Sequence, residues 1–444
     1  MLARICFALL LVACVPAWCQ EDASKVEIGS ASDQDAPMLV PPPVSVMAYS
    51  TAFNGETQSN ILSGGLGFTT AWSSNVAWGT QPVSDVIYSL FPTLALDKTT
   101  YRSHLVLDYA PGFTFYQRTT SLNQETQNAS MKFEYQLTPN LIANIHEGFL
   151  KTSNPFDQPN PLAATPVTGA LPTAGIAIIA PAADLLNNST GAQLTYQMGA
   201  DSMIGGGGNY NTLNYLSSDQ SAGLYDSRSA GGSLFYSRRF HGKDYFGVSY
   251  QYQNSLSFQQ SAPSTETQTQ TVFLFFTMFL KPSLSISFSG GPQHYSSVQA
   301  LLPAAASWQP MTMVSMNWQG ERTAFSASYA RTVSGGGGLN GTYHSNNAGA
   351  AFSWRVSRNW TTGVSAGFSN YEDLTPNFVL SSPGGHTLSG TVSAQRTLGE
   401  HANIQFGYNW AQQNYPNILT VSSTPNINRV FATINFTFSK PLQR

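Results

Sequence analysis

The sequence predicts an all-β fold, a single transmembrane antiparallel up-and-down barrel of about 18 strands (16–18), and three observations carry that expectation. Charge is scarce: Asp, Glu, Lys and Arg make up 10% of 444 residues, against about 25% in an average soluble domain. Hydrophobic residues reach 42%, so the balance is Ser, Thr, Asn, Gln and Gly, which suits polar barrel walls and serves helices poorly. The second observation is the stretch Ser103 to Tyr116. Leu105, Leu107, Tyr109, Pro111, Phe113 and Phe115 alternate there with His104, Val106, Asp108, Ala110, Gly112 and Thr114. A period of two over that length matches the roughly 9–11 residues of a tilted strand crossing a bilayer. The third is a regular succession of short and long connections between segments of this kind.

Taken in order, residues 1–19 read as an export signal: Arg4, the apolar run Ile5 to Val15, then Ala17-Trp18-Cys19 as a small-x-small cleavage site. Leu11-Val12-Ala13-Cys14 also fits a lipoprotein box, and the two processing routes stay open. All three cysteines lie in this segment, so neither disulfides nor thiolate metal sites are expected beyond it. Residues 20–60 are acidic, lack a sustained period and carry Pro41-Pro42-Pro43, which reads as a flexible periplasmic tail. That tail is too short for the plug of a barrel of about 22 strands.

Residues 61–444 form the expected barrel. The apolar phase runs from Leu62, Leu66, Phe68 and Trp72 in the first strand to Val430, Ile434, Phe436 and Phe438 in the last. Thr271 to Leu280 is apolar on both sides, and Gly205 to Gly208 reads as a thinned strand. Turns fall at Lys98–Tyr101, Thr138–Asn140, Gly199–Ser202, His241–Lys243, Lys281–Pro282, Gln319–Glu321, Ser357–Asn359 and Leu398–Glu400. The other links are expected to run about eight to forty residues, the pattern of periplasmic turns against extracellular loops, which puts both ends of the barrel in the periplasm. Ser297 falls in the link between the eleventh and twelfth strands, and Gly335 to Gly338 reads as a loop. The longest link, 152–189, contains Ile176, Ile178, Ile179 and Asp184 in a stretch too apolar to hang in water, so it must pack against something.

The leader, the alternating strands and the closing stretch Arg429 to Phe438 resemble bacterial outer-membrane β-barrel proteins of porin type. The resemblance implies outer-membrane lipids and the barrel-assembly machinery as partners, small hydrophilic solutes as cargo, and passive diffusion as the activity. A homotrimer stays open. It also implies that the 152–189 loop folds inward as a constriction; a helix capping the mouth or a subunit contact is the competing reading. One departure is that Ser439 to Arg444 follow Phe438, where the family's last strand ends on an aromatic.

The phase rule assigns His104, Asp108, Lys132, Glu134, Asn144, His146, Arg355, Gln405 and Asn409 to the lumen. These groups either set the field felt by a solute or brace the wall. Glu147, Arg238, Arg331 and Arg396 fall on the lipid phase; the arginines are expected at strand ends and Glu147 at a bulge or an early strand end. Beyond residue 60 the chain has 18 basic and 17 acidic residues, a balance that shows no large basic footprint for nucleic acid. No His-Glu-x-x-His, Gly-x-Ser-x-Gly or phosphate-loop pattern occurs, and neither a catalytic role nor a cofactor is expected. Polysaccharide export or a scaffold is the alternative function, with a barrel-borne hydrolase third. A stripe of inward aromatics would favour a saccharide path, but Phe235 and Phe431 on the inward phase are two residues and not a stripe.

Overall fold

The computed structural model describes residues 60–77, 82–152, 184–216, 223–240, 243–259, 262–299, 302–335, 337–375, 384–415 and 426–442. The expected leader and nearly all of the tail lie outside them. Eighteen strands follow one another along the chain. They are β1 Ile61–Ser73, β2 Asp85–Thr99, β3 Ser103–Tyr116, β4 Gln124–Thr138, β5 Leu141–Thr152 and β6 Leu185–Gln197. Next come β7 Ser202–Tyr215, β8 Asp226–Phe240, β9 Asp244–Gln259, β10 Ala262–Lys281, β11 Leu284–Gln299 and β12 Ala305–Gln319. The last six are β13 Thr323–Gly335, β14 Thr342–Arg355, β15 Trp360–Asp373, β16 Gly385–Thr397, β17 Ala402–Asn414 and β18 Asn426–Pro441. Each pairs antiparallel with its sequence neighbours, and β1 pairs with β18 from Ile61↔Pro441 to Ser73↔Arg429, so the sheet closes.

Closure leaves no terminal strand unpaired at either side of the sheet, the condition under which a β-structure can stand in hydrocarbon. Alternation then sorts the side chains. Leu66, Phe68, Trp72, Leu94, Phe115, Leu194, Leu274, Phe288, Val392, Phe406 and Phe436 are exposed on the outer face. Aromatic tips there find polar partners: Trp410 Nε1 donates to Asn426 Oδ1 (2.6 Å) and the Tyr408 hydroxyl to Asn428 Oδ1 (2.6 Å). The opposite phase holds Ser89, Thr114, Thr126, Ser237, Thr277, Ser287 and Ser289, all buried. Phe438 stays on the outer face and stacks on His401 with centroids 5.7 Å apart, while β18 continues to Pro441.

Several expectations are corrected. The link after β5 begins at 153 and ends at Asp184, because Leu185 to Ser189 already pair with Gly148 to Thr152. Ser297 is not in a link; it lies within β11 and is fully buried. β9 and β10 run 16 and 20 residues, leaving only residues 260–261 between them rather than a long loop. Their ends alternate Thr265, Thr267 and Thr269 with Glu266, Gln268 and Gln270, and a strand polar on both faces has no hydrophobic period to read. Glu147 sits at neither a bulge nor a strand end. It continues the β5 ladder opposite Thr190, accepts a hydrogen bond from Asn188 Nδ2 (2.6 Å) and takes another from the Thr190 hydroxyl. Arg331 likewise lies inside β13, and its Nε sits 3.3 Å from His344 Nε2. Arg238 and Arg396 do lie near strand ends, over Phe240 and Trp360.

The ladder is incomplete at one seam. β12 and β13 pair only from Thr312↔Arg331 to Gln319↔Ala324. Beyond that point β12 stays with β11 as far as Ser297↔Ala305, while β13 follows β14 to Gly335↔Thr342. Each freed edge carries one adaptation. Pro292 and Pro310 face each other across β11 and β12, and neither has an N–H, so that pair is a non-hydrogen-bonded one and the Pro310 backbone faces the vacated side. On β13 the Val333 N–H donates to Gln293 Oε1 (2.7 Å), and Gln293 Nε2 donates to the Val333 carbonyl (3.2 Å). A side-chain amide from the inner face of β11 thus replaces the missing strand. Gln293→Leu leaves that donor and acceptor buried and unpaired, at a cost of about 1–3 kcal/mol. The expected outcome is a lower temperature for the shift from folded to unfolded mobility on a semi-native gel; unchanged heat resistance would show that the amide is not required.

Candidate functional site

The candidate site is the barrel interior, which differs between its two ends. Toward the rim carrying the short turns, strands β3 to β5 present exposed charge. Lys132, Glu134 and His146 are exposed on the phase opposite the apolar one. His104 Nε2 lies 3.2 Å from Asp97 Oδ1. The register sets His104 beside Glu134, Lys132 beside His146 and Glu134 beside Asn144, so five of the nine candidates fall on one continuous patch. His146 rests on Gly191 of β6, where any Cβ would collide with the imidazole. Asp108 is buried next to Ser130, which donates to its Oδ2 at 3.2 Å.

The remaining candidates sit apart from that patch. Arg355 ends β14 at the short-turn rim. Gln405 pairs in register with Gln395 and Thr433, and Asn409 with Thr391 and Arg429. Asn409 lines a small internal cavity with Ile87, Tyr116 and Arg429. Ile176, Ile178 and Ile179 lie outside the described residues. Asp184 stands just before β6, and its carbonyl accepts the Leu216 N–H at 2.8 Å.

The other end of the interior is bridged, by residues whose sequence predicts a loop. Past the seam, the end of β13, residues 337–341 and the start of β14 form a hairpin that packs across the lumen. Leu339, Asn340, Thr342 and Tyr343 are fully buried. On one side Thr342 Oγ1 donates to Ser297 Oγ (2.7 Å) and meets Thr267 Oγ1 (2.6 Å), joining the hairpin to the inner faces of β11 and β10. On the other side Leu339 and Tyr343 share one apolar cluster with Leu224, Tyr371 and Tyr415, against which Tyr215 also packs. Tyr215 ends β7, whereas Tyr371 lies in β15 and Tyr415 follows β17, on opposite arcs of the ring. One cluster therefore joins opposite walls.

Backbone conformation explains the glycines of this tip. Gly337, Gly338 and Gly341 have φ of 52°, 103° and 137°, which side chains with a Cβ rarely adopt. The Gly338 carbonyl accepts the Tyr225 N–H (3.0 Å), and the Tyr343 hydroxyl donates to the Asn340 carbonyl (2.7 Å). Burial pushes the Tyr415 phenol far above its ordinary pKa, so it stays protonated beside Thr387 Oγ1 (3.3 Å). The run Gly335 to Gly338 was the available sequence signal. Without tertiary contacts it could not be told from an ordinary loop.

Other inward groups turn out to be structural. Asp85 accepts the N–H groups of Arg118 and Thr119 and the Thr119 hydroxyl (2.8 Å), which holds the link between β3 and β4. Phe235 packs with Phe273, Phe275, Met311 and Met313, which explains why β10 is apolar on its inner side. Phe431 packs with Ala71, Ile87 and Tyr116. These two aromatics are therefore parts of separate wall clusters and make no stripe. Among the described residues no group of three or more His, Cys, Asp or Glu could hold a metal ion.

No family model and no curated protein matches the chain. Among solved structures it is similar to Pseudomonas aeruginosa OccK2 (OpdF), at 10% identity and a TM-score of 0.42, covering 86% of this chain and 98% of that one. Acinetobacter baumannii OccAB2 is matched at 10% identity and a TM-score of 0.42, over 85% of this chain and 98% of that one. The ferric citrate transporter FecA is matched at 10% identity and a TM-score of 0.43, over 86% and 79%. Likenesses this distant do not bear on function.

Gly338→Ala forces a Cβ into a backbone conformation that disfavours it, against the Tyr215 hydroxyl, while leaving every wall ladder intact. The expected outcome is a loosened bridge, read as a lower temperature for the shift from folded to unfolded mobility on a semi-native gel. Unchanged heat resistance would show that the left-handed turn at Gly338 is not required.

Proposed function

We propose that this protein is an outer-membrane channel for the passive diffusion of small hydrophilic solutes, with the short turns in the periplasm and the hairpin bridge narrowing the outer mouth. The observation that carries the reading is a closed 18-stranded ring whose inner wall holds exposed Lys132, Glu134 and His146. Charged side chains remain exposed inside a barrel only where water reaches them, and barrels of about 16–18 strands usually leave an aqueous channel. The exposed apolar outer face supports the membrane placement. Export of saccharide has less support, because the inward aromatics are taken up by wall packing.

Purified protein in planar bilayers is expected to give stepwise conductance; a folded barrel that stays silent would overturn the channel reading. Sidedness is tested separately with single cysteines and an impermeant thiol reagent on intact cells. Ala304→Cys, exposed just before β12, is expected to label. Gly199→Cys, in the open turn between β6 and β7, is expected to stay protected until the cells are lysed. The reverse pattern would invert the barrel.

A further inference from the structure

We infer that the inner face of β2 to β5 is a cation-selecting surface, so that the lumen favours small cations and ammonium-bearing solutes over anions. This rests on the channel reading and adds its substrate class. From Asp108 to the short-turn rim, the inward phase of these four strands carries Asp97, His104, Asp108, Lys132, Glu134 and His146. Three carboxylates face one ammonium and two imidazoles there.

Position round the ring makes the patch effective. Nine strands away, β12 and β13 turn Ser315, Asn317, Ala324, Ser326 and Ser328 inward, so these two facing strands supply no positive charge to balance it. Of the inward bases elsewhere in this half, Arg239 is held by Asp201 at 3.0 Å, and Lys281 and Arg355 end their strands at the rim. A wall charged on one side and neutral on the other biases a narrow aqueous path toward counter-ions.

A second, independent feature points to a ligand. Asp108 is only 7% exposed, and its Oδ2 is matched by Ser130. Its Oδ1 is buried with no hydrogen-bond partner. A buried carboxylate oxygen left unmatched beside a water-exposed charged patch is an acceptor for a cation or an N–H donor, because burying such an atom without a partner is costly. The other acids are placed differently: Glu134 is exposed, and Asp97 already meets His104. The patch therefore combines one unmatched acceptor with a surrounding negative field.

The test is the reversal potential of the purified protein in planar bilayers under a potassium chloride gradient. The expected sign is that of potassium preference. The double variant Asp108→Asn with Glu134→Gln is expected to shift the potential toward zero, and Lys132→Gln to shift it further toward cation preference. These opposite shifts follow from charge and not from wall bracing. Chloride preference, or a potential that none of the variants moves, overturns the inference while leaving the channel standing. A folded barrel without conductance removes the channel reading and this inference together.

Discussion

Backbone pairing is the constraint on which the rest of this structure depends. A strand in hydrocarbon has no water to satisfy its N–H and C=O groups, so every wall strand needs a partner on both sides. The closing ladder between β1 and β18 meets that need for the ring as a whole. Once the ring is closed, alternation is no longer a tendency but a sorting rule. Each residue faces either lipid or interior, and a slip of one would expose every inner Ser and Thr to the membrane.

The exception at β12 and β13 shows how strict the constraint is. Two strands part for the upper portion of the wall, and the chain supplies a proline where a donor would be left over and a glutamine amide where a donor and an acceptor would. The parting frees β13 and β14 to lean inward. Their tip then reaches the cluster of Tyr215, Tyr371 and Tyr415, and three glycines with positive φ make the turn possible. A local release of pairing at the wall thereby becomes a bridge across the interior.

The two ends of the interior consequently obey different physics. At the bridged end, burial of Leu339, Tyr343 and Tyr415 dominates, and polar atoms such as the Thr342 hydroxyl are matched by Ser297 and Thr267. At the other end the inner wall carries exposed charged side chains. The field of an exposed charge extends about 8–10 Å at physiological salt before mobile ions screen it. Lys132, Glu134 and His146 are exposed there on the inward phase.

Much of this architecture was legible in the chain. The apolar phase of Leu105 to Phe115, repeated around the ring, determined the strand number and the antiparallel order, because alternation is a local property of a pleated strand. The sequence could not determine how far β9 and β10 extend, since Thr and Gln on both faces erase the period. Nor could it reveal the bridge. Gln293 reads as one more polar wall residue and Gly335 to Gly338 as a loop, and their roles follow from contacts among β7, β10, β11, β13, β15 and β17 that are distant in the chain. Which strands line the barrel is set locally by the alternation of side chains. What fills its mouth was decided only by the closed sheet, which brings opposite walls within reach of one hairpin.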